Sequence, residues 1–183
     1  MAALALVSVR TGIHISYFTR DPSEIVQAPF YIGLLSNVGI LIWSASAGIC
    51  LFTATLLGRT AGGVEWRSFL LASGILTAWL AFDDLLTLHD VVIPTYMHVP
   101  QKVFLALLGG VTLLYLARFR RAILKTDYLL LLVAFGFLAL SVFFDALQGR
   151  VALPHQHYFE DGTKLMGIVG WSAYLTRTAL QRL

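Results

Sequence analysis

Residues 68–92 read SFLLASGILTAWLAFDDLLTLHDVV. From Ser68 to Phe82 no side chain is ionisable, and the run then meets Asp83-Asp84 and His89-Asp90. About twenty apolar residues in helical form cross the hydrocarbon core of a bilayer. The stretch is long enough for that, and Pro94 stops it, because proline cannot continue a helix. One segment therefore carries both a membrane-length apolar run and, at one end, a group of acids with an imidazole.

Runs of the same kind flank it. One spans about 30–57, with Pro29 just before it and Arg59 and Gly62-Gly63 after it. Another spans about 101–117, opened by Pro100 and closed by Arg118, Arg120 and Arg121. The last two span about 127–148, ending at Gly149, and about 160–180. Small-residue stretches, Ser44 to Gly48 and Gly109-Gly110, suit close helix contact in lipid. Of the 183 residues, 58% are hydrophobic and 13% charged, well below the share of about a quarter usual for a soluble domain. The fold class is thus an all-α integral membrane protein. It is a single transmembrane helical domain over 1–183 with five spans. Residues 1–29 form an N-terminal apolar stub and an extracytoplasmic segment. A sixth helix reaching about Tyr17 is the variant reading, interrupted by Arg10; the stub has no small-residue cleavage pattern of a signal peptide.

Charge fixes the orientation. Arg59, Arg67, Arg118, Arg120, Arg121, Lys125, Arg177 and Arg182 share one side if the helices alternate. Basic residues concentrate in cytoplasmic loops, so that side and the C-terminus are cytoplasmic. Arg10, Arg20, Lys102, Arg150 and Lys164 fall on the other side. Acids show the reverse bias, with only Glu65 and Asp127 near the cytoplasmic face, and all five histidines lie on the outer side. Acids contribute little to topology, so the asymmetry points to an extracytoplasmic site. The net charge of +3 comes with no basic patch interleaved with aromatics, which excludes nucleic acid as a partner. The single cysteine, Cys50, excludes an intramolecular disulfide and a cysteine metal site, and reads as a packed thiol.

A shift of 62 residues lays the second span on the fourth and the third on the fifth without a gap. Phe82-Asp83-x-Leu85 meets Phe144-Asp145-x-Leu147, and Lys102 meets Lys164. Both hairpins run outward and back, so this is a parallel duplication about the membrane normal, a repeat type seen in transporters.

At about 100° per residue, Asp83, Thr87 and Asp90 share a stripe, with Asp84 to one side and His89 to the other. Ser141, Asp145 and Gln148 share another, and Glu160 and Lys164 a third, with Asp161 beside them. A carboxylate in a span normally faces the interior and has a partner. One arrangement that satisfies this is purely structural: Lys164 and Lys102 pair with Asp145 and Asp83. The functional arrangement is a divalent metal, Zn, Mn or Fe, or Ca if the oxygens dominate, held by Asp83, His89 and Asp145, since carboxylates with imidazole suit those ions. Asp84 or Glu160 then serves as general base, and Lys164 stabilises developing negative charge. His155-x-His157 follows Pro154 in a loop, where exposure or capping competes with ligation; His14 and His98 read as interfacial, and Asn37 and Thr87 as packing groups. His89 has no transmembrane histidine opposite it for haem ligation.

Ser141-x-x-x-Asp145 and Phe82-Asp83-Asp84-Leu85 loosely resemble the alkaline-ceramidase-type membrane hydrolases, which carry Ser, Asp and His on transmembrane helices near the outer face. The paired His-x-x-x-His on a late helix that those enzymes use is missing from this sequence, which also has fewer helices, so membership is not assigned. The expectation is a metal-dependent hydrolase acting on a lipid or another amphiphile near the outer headgroup layer. The alternatives are a non-catalytic subunit that assembles with other membrane subunits, and a small protein handling cations or protons.

Overall fold

A computed structural model describes residues 1–58, 64–147 and 156–183. Arg59 and Gly62-Gly63, and Gln148 to His155, lie outside the described residues. The regular secondary structure of the described residues is all helical, with no strand among them.

Two compact units divide the chain at residue 34. The first holds α1 (Ala2–Thr11), α2 (Ser16–Thr19) and α3 (Pro22–Ile25). Gly12 ends α1 in the left-handed region at φ 71, the position glycine takes most readily. The sixth helix reaching Tyr17 is therefore not formed. Ten residues rise only about 15 Å, half the hydrocarbon thickness. Asp21 caps α3 by accepting from the Ser23 N–H at 2.7 Å, with Pro22 at the first helical position.

The second unit contains α4 (Leu34–Leu57), α5 (Val64–Leu86), a π turn (Leu88–Val92), α6 (Ile93–Tyr96), α7 (Gln101–Ile123), α8 (Tyr128–Leu147) and α9 (Gln156–Leu180). Among the described residues, α4, α5, α7 and α8 are long and apolar enough to cross a membrane. At 25 residues α9 also has the length, but Glu160, Asp161 and Lys164 crowd its first turns. α7 continues through Arg118, Arg120 and Arg121, past its expected end. Arginine is a good helix former, and cations near a helix C-terminus face favourable dipoles.

The core is organised around Trp171 of α9, which is 1% exposed. Its ring centroid lies 5.9 Å from that of Trp43 on α4, 6.4 Å from Tyr115 on α7 and 5.3 Å from Phe135 on α8. Its indole N–H donates to Thr77 Oγ1 on α5 at 3.0 Å, so one side chain touches the other four long helices. Ile168, Trp171, Tyr174, Leu175, Thr178 and Ala179 form a buried stripe of helical period along α9. Buried hydroxyls bond across helices, Ser46 to Ser172 at 2.6 Å and Ser73 with Tyr115 at 2.6 Å.

Close approach occurs at glycines other than those the sequence singled out. A Cβ on Gly74 would lie 2.7 Å from Leu51 Cγ and 3.2 Å from the Ala47 carbonyl, bringing α5 against α4. One on Gly167 would lie 2.6 Å from Leu138 Cγ and 3.0 Å from the Leu138 backbone nitrogen, bringing α9 against α8. Gly48, Gly109 and Gly110 face open space instead. Composition marks small residues, but only packing selects which of them face a neighbour.

Candidate metal and acid–base site

The expected continuous helix over 68–92 breaks after Leu86. Thr87 adopts φ 48, ψ 43, in the left-handed region that β-branched residues avoid. The chain then makes a π turn in which the Val92 N–H bonds the Thr87 carbonyl at 3.2 Å. A π turn and a strained non-glycine residue are both features that concentrate at functional sites. Asp83 holds the break in place. Its Oδ1 accepts from the His89 backbone N–H at 3.1 Å, and its Oδ2 accepts from His89 Nδ1 at 2.7 Å. On a regular helix a spacing of six residues would put Asp83 and His89 on different faces; the π turn brings them together.

The other imidazole nitrogen, Nε2, lies 3.2 Å from Asp90 Oδ2. Asp90 Oδ1 in turn accepts from Gln101 Nε2 at 2.8 Å, which ties the start of α7 to the turn. His89 lies past the end of the apolar run, between two carboxylates. Burial works against its charged form, but the Asp83 hydrogen bond and the charges of Asp83 and Asp90 outweigh burial and the opposing Lys164 charge. Its pKa is therefore held above the ordinary histidine value.

Asp84 faces the other way, into the bundle. Its Oδ1 accepts from Lys164 Nζ on α9 at 2.6 Å and its Oδ2 from the Trp43 indole N–H on α4 at 3.2 Å. Three helices are thereby joined at one carboxylate. The Asp84 side chain is 8% exposed and that of Asp83 5%. Ligand atoms of Asp83, Asp84 and His89 all lie within 4.8 Å of one another. Two carboxylates and an imidazole form a donor set that Zn, Mn and Fe accept once the imidazole nitrogen that meets the ion has given up its proton. Beside Asp84 and Lys164 is a pocket of about 40 Å³, lined also by Ser36, Gly39 and Asp161, with room for water but not for an organic substrate.

Of the residues expected to ligate, Asp83 and His89 come together, with Asp84 as the third member. Asp145 is half-buried on α8 and is not part of this group. Lys164 pairs with Asp84 and not with Asp145, and Asp83 with His89 and not with Lys102. Glu160 Oε2 lies 3.8 Å from His157 Nδ1, one turn before Lys164. His14 belongs to the first unit, where it bonds Ser16. His155 and Gln148 fall outside the described residues. Sequence reasoning missed Trp43 and Gln101. A tryptophan well inside an apolar run, away from the interfacial belts where the residue concentrates, was the available sign for Trp43, because a buried indole N–H requires an acceptor. Gln101 gave no such sign.

At the opposite end the polar groups make ordinary surface pairs. Arg177 bonds Asp127, Lys125 lies 3.8 Å from Glu65, and the Arg182 guanidinium stacks 3.5 Å from the Trp66 ring centroid.

The chain, all-helical in its described residues and with its polar group at one end of an apolar bundle, matches a family model described as a domain of unknown function (DUF8692) over residues 1–178, and belongs to that family. Neither the curated proteins nor the solved structures contain a match.

Proposed function

We propose that the chain is a polytopic membrane hydrolase with a divalent metal held by Asp83, Asp84 and His89, acting on a lipid or other amphiphile at the extracytoplasmic face. The observation that carries this reading is the convergence of three ligand atoms within 4.8 Å on the buried Asp83, the partly buried Asp84 and the His89 imidazole. A bound Zn, Mn or Fe would supply an activated water and a Lewis acid. Asp84 takes the place that spacing suggested for Asp145. Glu160 is the proposed general base and Lys164 the cation that stabilises developing negative charge; the pocket beside Lys164 and Asp84 supplies space for water.

Membrane insertion supports the reading physically. Large apolar side chains such as Leu107, Leu113 and Leu114 are more than 60% exposed on α7, a burden that soluble proteins rarely carry. On this proposal α4, α5, α7, α8 and α9 are the five spans. The polar start of α9 is tolerated because Lys164 bonds Asp84 and Glu160 and Asp161 lie at the outer end of the helix. The C-terminus is cytoplasmic, by the distribution of basic residues. The duplicated hairpin is part of the proposal and rests on sequence register.

Metal analysis of the protein purified in mild detergent tests the site. About one divalent ion per chain is expected, lost in Asp83→Asn and in His89→Gln with the helical content unchanged. A second reading, a subunit whose polar cluster serves assembly, is favoured by one observation: Asp84 joins α4, α5 and α9. Wild-type protein that binds no divalent ion supports that reading and sinks the hydrolase.

A further inference from the structure

Between α5 and α7 runs an open groove of about 630 Å³. Ile75 and Trp79 on α5 and Phe104, Leu108 and Val111 on α7 line it, and Arg118 is its one charged residue. The groove opens outward, because Trp79 is 49% and Leu107 64% exposed. Tyr115, also in the lining, turns its hydroxyl to Ser73 and so offers no polar atom to an occupant.

One end of the groove adjoins the site. Trp79 lies one turn before Asp83 on the same stripe of α5. Phe104 lies one turn after Gln101, whose amide bonds Asp90. From Phe104 to Arg118 the groove follows α7 for about 21 Å, at 1.5 Å per residue. One leaflet of the hydrocarbon core is about 15 Å deep, so the apolar channel takes a full acyl chain before it meets Arg118.

We propose that this groove binds the acyl chain of the substrate, with the chain's polar end at Asp83 and His89 and its methyl end toward Arg118. The substrate class is then a long-chain acyl lipid entering sideways from the outer leaflet. The proposal deepens the hydrolase reading and rests on it for what happens at the polar end.

The test uses the full chain in nanodiscs of palmitoyl-oleoyl phosphatidylcholine, doped with phosphatidylcholine that carries a photoreactive diazirine. One probe has the diazirine beside the acyl carbonyl, the other at the chain's methyl end. The first should label around Trp79 and Phe104 and the second around Val111 and Leu114. Labelling of α7 should exceed that of exposed α8 positions at equal depth by about tenfold, the ratio given by a preference of about 1.4 kcal/mol. Leu108→Trp should remove that excess while metal content stays at the wild-type level. Should Leu108→Trp fail to fold, Ala72→Phe fills the same groove, and the wild-type ratio decides independently. Even labelling of α7 and α8 shows annular lipid only and overturns the proposal. So do α7–α7 crosslinks in a dimer in place of lipid adducts, which would put a second copy in the groove. Specific labelling in a protein that binds no metal would leave the groove standing and remove the hydrolase; metal with even labelling would do the reverse.

Discussion

Replacing Lys164 with Met removes the one cation that bonds Asp84 among the described residues, while keeping the length and apolar stem of the side chain. The Nζ–Oδ1 distance is 2.6 Å, which corresponds to a gross attraction of about 6 kcal/mol at an effective dielectric of about 20. Desolvation offsets part of it. Breaking a buried pair from one side typically costs about 3–5 kcal/mol, because the other charge is left behind. Asp84 is 8% exposed but Lys164 36%, so water already shares the ammonium. We therefore expect a loss of about 2–3 kcal/mol, below the fully buried range. Among the described residues the Trp43 indole would remain as the donor to Asp84, and one neutral N–H does not compensate a full charge. The assay is unfolding in mixed micelles with increasing dodecyl sulfate, on protein stripped with a chelator so that no bound metal contributes. A cycle with Asp84→Asn isolates the pair: the double variant should be more stable than the sum of single losses allows, by more than about 1 kcal/mol. Lys164→Met within about 0.5 kcal/mol of wild type, with no coupling to Asp84→Asn, would refute the reasoning.

Other outcomes follow from the same geometry. Gly167→Ala should cost about 1–3 kcal/mol, and Leu138→Ala should restore only part of it, because the Leu138 backbone nitrogen stays 3.0 Å from the new Cβ; full rescue would show that the helices are not held that close. In a Cys50→Ala background, an impermeant maleimide on intact cells should label a cysteine at Tyr158, which is 77% exposed, and not one at Lys125; the opposite result reverses the orientation. Spin labels replacing Phe82 and Phe144 should report depths within about 5 Å, one helical turn; a larger difference dismisses the duplication.

How much of this was legible in the sequence depends on the range of the interaction. The long helices could be read from apolar length alone, with ends displaced by a few residues at Leu34, Val64 and Ile123. The acids and His89 stood out because ionisable groups are costly in apolar surroundings. The break at Thr87 could not be read. No glycine or proline marks it, and the local signal of Leu85-Leu86-Thr87-Leu88 favours continuing the helix. It is held by Asp83 bonding both nitrogens that His89 presents to it, a tertiary-type contact folded into six residues. Because the stripe was drawn for a regular helix, it put Thr87 and Asp90 beside Asp83 and set His89 aside. Lys164 likewise found its partner 80 residues away, on a helix that spacing does not single out. The expected duplication suggested Asp145, through pairing within one hairpin, whereas Lys164 bonds Asp84 on α5.

The separation between Asp84 and Lys164 has a consequence for biosynthesis. With the membrane reading adopted, α5 enters the bilayer while 80 residues, and with them all of α8, remain to be made before its counter-ion exists. At about 5–20 residues per second the ribosome needs roughly 4–16 s for that stretch. Throughout that interval the nascent chain holds two adjacent aspartates at the end of a span with no lysine to meet Asp84. Each ionised Asp at the centre of a span would disfavour insertion by about 2.5–3.5 kcal/mol, and less near the headgroups. The position of Asp83 and Asp84 at the edge of α5 is then what lets the half-made protein wait. The same pair placed mid-helix would leave the bilayer before α9 arrived to hold it.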